Sequence, residues 1–178
     1  LLWKYSGHEG GFSDPLVECK KCGARMRQDK MKDPTKCDNC GSADITEPRA
    51  YQLMMGLSIG AMADGAINAY LRPETATTTY TNFKNVLDSK PHKLPFGIAQ
   101  IGKAFRNEIS PRGFVFRMRE FEQAEMQYFV RPDEDEKYFE MWRAARMAWW
   151  VDVLGIPAEK LRFTPHDKLA HYAKAACD

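Results

Sequence analysis

The chain has 178 residues, 44% of them hydrophobic and 28% charged, with a formal net charge of +2. That is enough for one globular domain with a core and a small appendage, and it argues against a disordered tail or a fibrous repeat. So weak a charge does not point to nucleic acid by itself; no apolar run has the length of a membrane span, and the first residues lack the basic start and apolar stretch of a secretory leader.

Residues 1–18 carry SGHEGGFSDP, whose glycines and proline predict a loop. Residues 19–47 hold Cys19-x-x-Cys22 and Cys37-x-x-Cys40, with fourteen residues between the pairs. A hairpin that joins two close thiol pairs gives four sulfurs in a tetrahedron, which suits structural zinc and leaves no open position for catalysis. The alternative is two buried thiol pairs without metal. With four of the five cysteines in such pairs, metal is favoured over disulfides, and with it a reducing, cytoplasmic setting. Gly23, Asn39 and Gly41 are turn formers that suit the two knuckles. Lys20, Lys21, Arg25, Arg27, Lys30, Lys32 and Lys36 lie in the same segment. They suit contact with nucleic-acid phosphates and a solvated basic face equally well.

In residues 48–90, Met54, Met55, Leu57, Ile59 and Met62 are expected in the core. Ala69-Tyr70-Leu71 predicts a short strand that leads into Arg72-Pro73-Glu74-Thr75-Ala76 and then a helix through Asn82, Phe83 and Val86. Glu74, next to a proline, is a positioned carboxylate; it also stands where the dipole of a helix start favours an acid. Residues 91–104 predict a strand with Ile98 and Ile101 buried, and His92 is read as a loop histidine.

The central stretch runs from Phe105 to Phe129. Arg106 and Glu108 are two apart, a Ser110-Pro111-Arg112-Gly113 turn follows, and Arg117, Arg119, Phe121, Gln123 and Glu125 recur at every second residue. In a strand such residues share one face. Folded as a hairpin, the two legs present three arginines, an aromatic ring and two acids together, an inventory suited to a nucleotide. Guanidiniums bind phosphate oxygens through paired hydrogen bonds, and a ring offers a face for a base. Beyond it, Asp133-Glu134-Asp135-Glu136 opens a helix whose Tyr138, Trp142, Ala145, Trp149 and Val153 form a stripe expected to pack in the core. Gly155 ends that helix before Pro157. A second helix is expected near Asp167 to Ala176, with His166, His171 and Cys177 given no role.

The order Phe105-Arg106-Asn107-Glu108, then Arg117, Phe121 and Glu125, resembles the second signature motif of class II aminoacyl-tRNA synthetases. RNEISPR and REFEQAE are closer still to the dimeric glycyl-tRNA synthetases. SGH with FSDP, Arg25-Met26-Arg27-Gln28-Asp29 and Arg72-Pro73-Glu74-Thr75-Ala76 match that family as well. Two departures stand out: Gln28 replaces an alanine, and Thr77-Thr78 replace Gln-Gly. The resemblance implies an α+β fold, an antiparallel sheet flanked by helices, with residues 1–18 and 48–178 a partial catalytic domain and 19–47 an inserted zinc ribbon. The first and third signature motifs are not in the chain, so a piece of a longer protein is expected.

The same resemblance implies ATP-dependent activation of glycine and its transfer to the 3′ end of tRNA, with Mg2+ accompanying ATP, structural Zn2+ and a homodimeric full-length protein. Arg106 is the implied catalytic residue at the α-phosphate. Asn107, Glu108, Phe116, Arg117, Arg119 and Phe121 complete the implied ATP site. Glu74, Phe121, Gln123, Glu125 and Arg27 form the amino-acid site, and Cys19, Cys22, Cys37 and Cys40 bind the metal. Two other classes stay open: a synthetase-like protein without catalysis that binds RNA or a partner, and a zinc-ribbon nucleic-acid module attached to an unrelated domain.

Overall fold

Leu16 and Val17 are at most 2% exposed and lie in the best-buried strand among the described residues, with the equally buried Cys19 just beyond its end. In the computed structural model, which describes residues 1–62, 64–167, 169 and 172–178, this is β1 (Ser13–Glu18). It is flanked by antiparallel β2 (Arg25–Arg27) and β3 (Arg49–Gln52). The register sets Leu16 opposite both Arg27 and Arg49. Each large apolar side chain so buried stabilises the fold by about 1.5–3 kcal/mol. Ahead of β1, the predicted loop is instead two short helices, α1 (Leu2–Tyr5) and α2 (His8–Gly11), with Gly7 in a left-handed turn between them.

The chain divides into two compact units. The first is Leu1–His92 with Gly97–Tyr128; the second is Lys93–Phe96 with Phe129–Asp178. Within the first, β4 (Gly56–Ile59) and β5 (Ile67–Tyr70) form an antiparallel two-stranded ribbon. Its apolar residues were expected inside, and only part of that holds. Met54 is buried, but Leu57, Ile59 and Met62 are 37%, 54% and 76% exposed. A two-stranded ribbon has two faces to cover, and among the described residues no third strand joins this one.

The central hairpin is β6 (Phe96–Phe105) and β7 (Glu120–Phe129), hydrogen-bonded to each other. Gly97 faces Met126 and Tyr128 near one end, and Lys103 pairs with Glu120 near the other, so the strands run in opposite directions. Burial alternates along both strands, with Gln100, Phe121, Gln123, Glu125 and Gln127 on the more protected positions. Ile98 follows that alternation and is half-buried, but Ile101 is 79% exposed. Residues three apart cannot share a face of a strand.

The protected face of the hairpin is polar, and α3 (Ala76–Ser89) satisfies it. The Gln100 side-chain amide donates to the Thr75 carbonyl and to the Thr79 hydroxyl at 2.6 Å, and Tyr80 donates to Gln127 at 2.9 Å. The Thr77-Thr78 departure thus falls in the first turn of a helix. There the Thr78 hydroxyl bonds back to the Thr75 carbonyl at 2.6 Å.

In the second unit α4 (Asp135–Ala148) opens with Asp135 and Glu136 and continues as a π-helical turn over Trp149–Val153. The expected stripe is less buried than foreseen: Tyr138 and Trp142 are half-buried, but Ala145 is exposed and Trp149 and Val153 are 38% and 66% exposed. The extra residue per turn in the π segment rotates the stripe off one face. No second helix appears among the described residues of 167–176; an isolated bridge joins Pro165 to Cys177, and His171 lies outside the described residues. Among the described residues, no helix is long and apolar enough to cross a membrane.

Candidate active site

The two cysteine pairs converge. Cys19 and Cys40 sulfurs lie 3.6 Å apart, Cys22 and Cys37 3.7 Å apart, and all four sulfurs fall within 4.8 Å of one another. Two matching knuckles make this possible. The Gly23 N–H donates to the Cys19 carbonyl and the Gly41 N–H to the Cys37 carbonyl, both at 2.8 Å. Each glycine sits at a φ of 70° or 72°, which a side chain would strain. The Asn39 amide, donating to the Cys22 sulfur at 3.6 Å, is the main cause that draws this thiol down to about 6. Cys40 also receives an N–H from Ser42, which favours its thiolate, yet burial and the neighbouring thiols push it up to about 12. Four like groups this close cannot all ionise without a cation between them. The donor set, its closure and its geometry fit a tetrahedral divalent metal.

Beside this ribbon a cavity of about 340 Å³ is lined by Arg27, Arg106, Glu108, Phe116, Arg117 and Phe121, with Val115 and Met118. These residues arrive by three routes. Arg27 ends β2, Arg106 and Glu108 follow β6, and Phe121 lies at the start of β7. Arg117 lies in the turn, where it bridges to Arg112 after a single 3-10 turn at Phe114–Phe116. The expectation that Arg117 through Glu125 form one strand face is corrected here, since β7 begins only at Glu120. Gly113 and Phe114 both take positive φ, which curls the chain away from an extended course. Arg119 donates from its side chain to the Glu108 carbonyl at 3.1 Å and does not line the cavity; the Asn107 N–H is spent on the Leu53 carbonyl.

Electrostatics organise the cavity. The Arg106 guanidinium lies 5.3 Å from the centre of the Phe121 ring and 5.5 Å from that of Phe12, and its Nε donates to the Pro73 carbonyl at 3.0 Å. Arg117 and Glu108 approach to 4.0 Å. Arg27 meets Asp14 at 2.9 Å and Asp29 at 2.8 Å. The hydrogen bond with Asp29 is the leading cause that raises the Arg27 pKa and lowers that of Asp29.

A second polar cluster occupies the protected face of the hairpin. Glu125 accepts from the Thr75 hydroxyl at 2.7 Å and from the Gln123 amide at 3.3 Å. The Gln123 carbonyl oxygen is buried without a hydrogen-bond partner among the described residues. Glu74, next in sequence to the fully buried Thr75, receives the Thr77 N–H on both carboxylate oxygens and faces His8 Nε2 at 3.9 Å. His8 itself is tied to the Ser6 hydroxyl at 2.8 Å. Sequence reasoning gave no role to His8, Phe12, Asp14, Thr75 or Gln100. Their only signal was that most of them sit inside stretches matched to the family.

A family model of the tRNA synthetase class II core domain (G, H, P, S and T) matches residues 62–176. The glycine–tRNA ligase of Borreliella burgdorferi (strain ZS7) is 49% identical over 180 residues, covering 99% of this chain and 40% of the relative. That of Treponema denticola is 47% identical over 182 residues with the same two coverages, and that of Treponema pallidum (strain Nichols) is 49% identical, covering 99% and 39%. The chain therefore spans about 40% of the length of the curated relatives it matches.

Proposed function

The chain belongs to the class II tRNA synthetase core-domain family, and we propose that the full-length chain activates glycine with ATP and transfers it to tRNA. The observation that carries this is the convergence of Arg106, Glu108, Arg117 and Phe121 on one cavity. Those are a phosphate clamp, an amine acceptor and a stacking ring in one place.

In this reading a glycine carboxylate oxygen bonds to the α-phosphorus of ATP while the bond to the bridging oxygen breaks and pyrophosphate leaves; Mg2+ accompanying the ATP would offset charge on its phosphates. Arg106 stabilises the charge that grows on the α-phosphate, and Arg117 meets the terminal phosphates. Glu108 accepts from the adenine amine. Adenine takes the face of Phe121 that Arg106 leaves. The glycine ammonium is received by Glu125 and by the Gln123 carbonyl oxygen, with Glu74 beside them. That oxygen is supported in the role by its own orphaned state, since a buried acceptor without a donor costs about 1–3 kcal/mol until something supplies one. Residues 19–47 act as an inserted ribbon in which Cys19, Cys22, Cys37 and Cys40 hold zinc, whose chemistry is to fix the two knuckles. Arg119 and Asn107 support the hairpin turn rather than touch ATP. The full-length chain is read as a cytoplasmic homodimer, and its mass in sedimentation tests that.

Pyrophosphate exchange into ATP by the full-length chain, screened over all amino acids, tests the assignment. Exchange that depends on glycine supports it. Exchange with another amino acid moves the specificity, and none at all favours a non-catalytic relative.

A further inference from the structure

Between β5 and α3 the chain runs through Arg72-Pro73-Glu74-Thr75, and both ends of that segment are tied to the β6–β7 hairpin. The Arg72 carbonyl accepts the Phe105 N–H at 2.8 Å, and the Arg72 Nε donates to the Lys103 carbonyl. Residues two apart in a strand offer such groups along one edge, so Arg72 grips β6 at two points. Pro73, fully buried and fixed in φ, gives its carbonyl to Arg106. At the far end the fully buried Thr75 bonds to Glu125 through its hydroxyl and to Gln100 through its carbonyl. Among the described residues the Glu74 carboxylate makes no hydrogen bond to the hairpin; the Thr77 N–H and the backbone on either side place it.

Gly102 makes the grip possible. A β-carbon there would stand 2.7 Å from Arg72 Nη2, and the three heavy atoms nearest to it all belong to that guanidinium. Among the described residues no carboxylate lies within ion-pair distance of Arg72, so its guanidinium serves a main-chain oxygen rather than an acid. We infer that Arg72 is a positioning residue of the amino-acid site: clasped to β6 across Gly102, it sets Glu74 where the glycine ammonium is received. This rests on the reading of Glu74 as a glycine contact. The bond from the Phe105 N–H alone would hold residue 72 yet let it pivot, and the side-chain bond to Lys103 stops that pivot. With Thr75 also held, the backbone between them keeps one course. A charge-assisted contact tolerates a drift of only about 0.5 Å, so a loosened grip at residue 72 is felt at Glu74.

Pyrophosphate exchange by the full-length chain, with glycine and ATP varied separately, tests this. Gly102→Ala is the cleanest probe, because the added methyl meets only the flexible end of Arg72. It is expected to raise the KM for glycine about 3- to 10-fold, the worth of one hydrogen bond, with kcat and the KM for ATP within about twofold of native. Arg72→Ala should give the same rise. Gly102→Ala added to it should change nothing more, since the methyl then has room. Arg72→Lys keeps one donor for the Lys103 carbonyl and should recover part of the affinity. In a Glu74→Gln background neither Arg72→Ala nor Gly102→Ala should raise the glycine KM further, because both act through Glu74. The inference is overturned if Gly102→Ala leaves the glycine KM at its native value, if both KM values rise alike, or if the full rise persists in Glu74→Gln. Should Arg72→Ala fail to fold, Gly102→Ala alone and combined with Glu74→Gln decides. A native glycine KM in Glu74→Gln removes the reading of Glu74 on which the inference rests, and a native chain without glycine-dependent exchange removes the proposed function itself.

Discussion

At the base of the β6–β7 hairpin, Glu125 is held by Thr75 and Gln123, and Gln100 is locked onto the first turn of α3. At its tip, Phe114 and Phe116 stand 90% and 92% exposed beside Arg112 and Arg117. The same two strands thus carry a hydrogen-bonded cluster at one place and an exposed turn at another. On the proposed reading the cluster binds a small zwitterion, which offers few contacts, so the groups that receive it have to be fixed in advance. A nucleotide brings three phosphates and a ring, enough to order exposed side chains as it binds.

The sharpest way to break that contrast is Arg106→Ala, which on the proposed reading removes a group that meets the developing charge rather than either ground state. Exchange activity should fall by about 10²–10³-fold; a loss confined to ATP affinity would demote Arg106 to a binding residue. Next comes Glu125→Gln. It should raise the KM for glycine by about 10- to 100-fold, the cost of a lost hydrogen bond to a charged group. The KM for ATP should stay near its native value, and an equal rise in both would dissolve the distinction between base and tip.

Thr75→Val probes whether the base is prebuilt. It removes a fully buried donor from Glu125, and urea unfolding should show a loss of about 1–2 kcal/mol. Phe116→Ser at the open tip should leave stability within about 0.5 kcal/mol while it weakens ATP binding. The smallest effect concerns Asp29, whose pKa lies below the ordinary 3.8, first because Arg27 donates to it. A depressed carboxylate adds stability that is present above its unfolded value and is lost as pH falls through the folded one. In a half-exposed pair it amounts to about 0.5 kcal/mol. Asp29→Asn should lower stability by about that much at neutral pH, where the ion pair is intact, and flatten the acid limb below pH 3.8, so that the two profiles converge at the acid end.

Some features were legible in the chain because they are local. Cysteines three apart beside a glycine suit a tight knuckle, and an acid run before an apolar stripe opens a helix. Alternation at Phe121, Gln123 and Glu125 announces one face of a strand, and those three do lie together. The same alternation misled at Arg117 and Arg119, because the turn with two consecutive positive-φ residues, Gly113 and Phe114, delays the start of β7 to Glu120, three positions later than the pattern implies. Spacing carries no information about where such a turn releases the chain.

What the sequence determined by itself is the chemistry on offer: four thiols in two pairs, and arginines, acids and a ring in a recognisable order. Tertiary structure decided who meets whom. Arg27 entered the cavity only because β2 pairs with β1 in the register that sets it opposite Leu16 and beside Asp14. Leu57 and Ile59 stayed exposed only because their ribbon has two strands. The reason is the same in each case: side-chain periodicity assigns a residue to a face, while the strand or helix that covers that face is chosen by contacts between residues far apart in the chain.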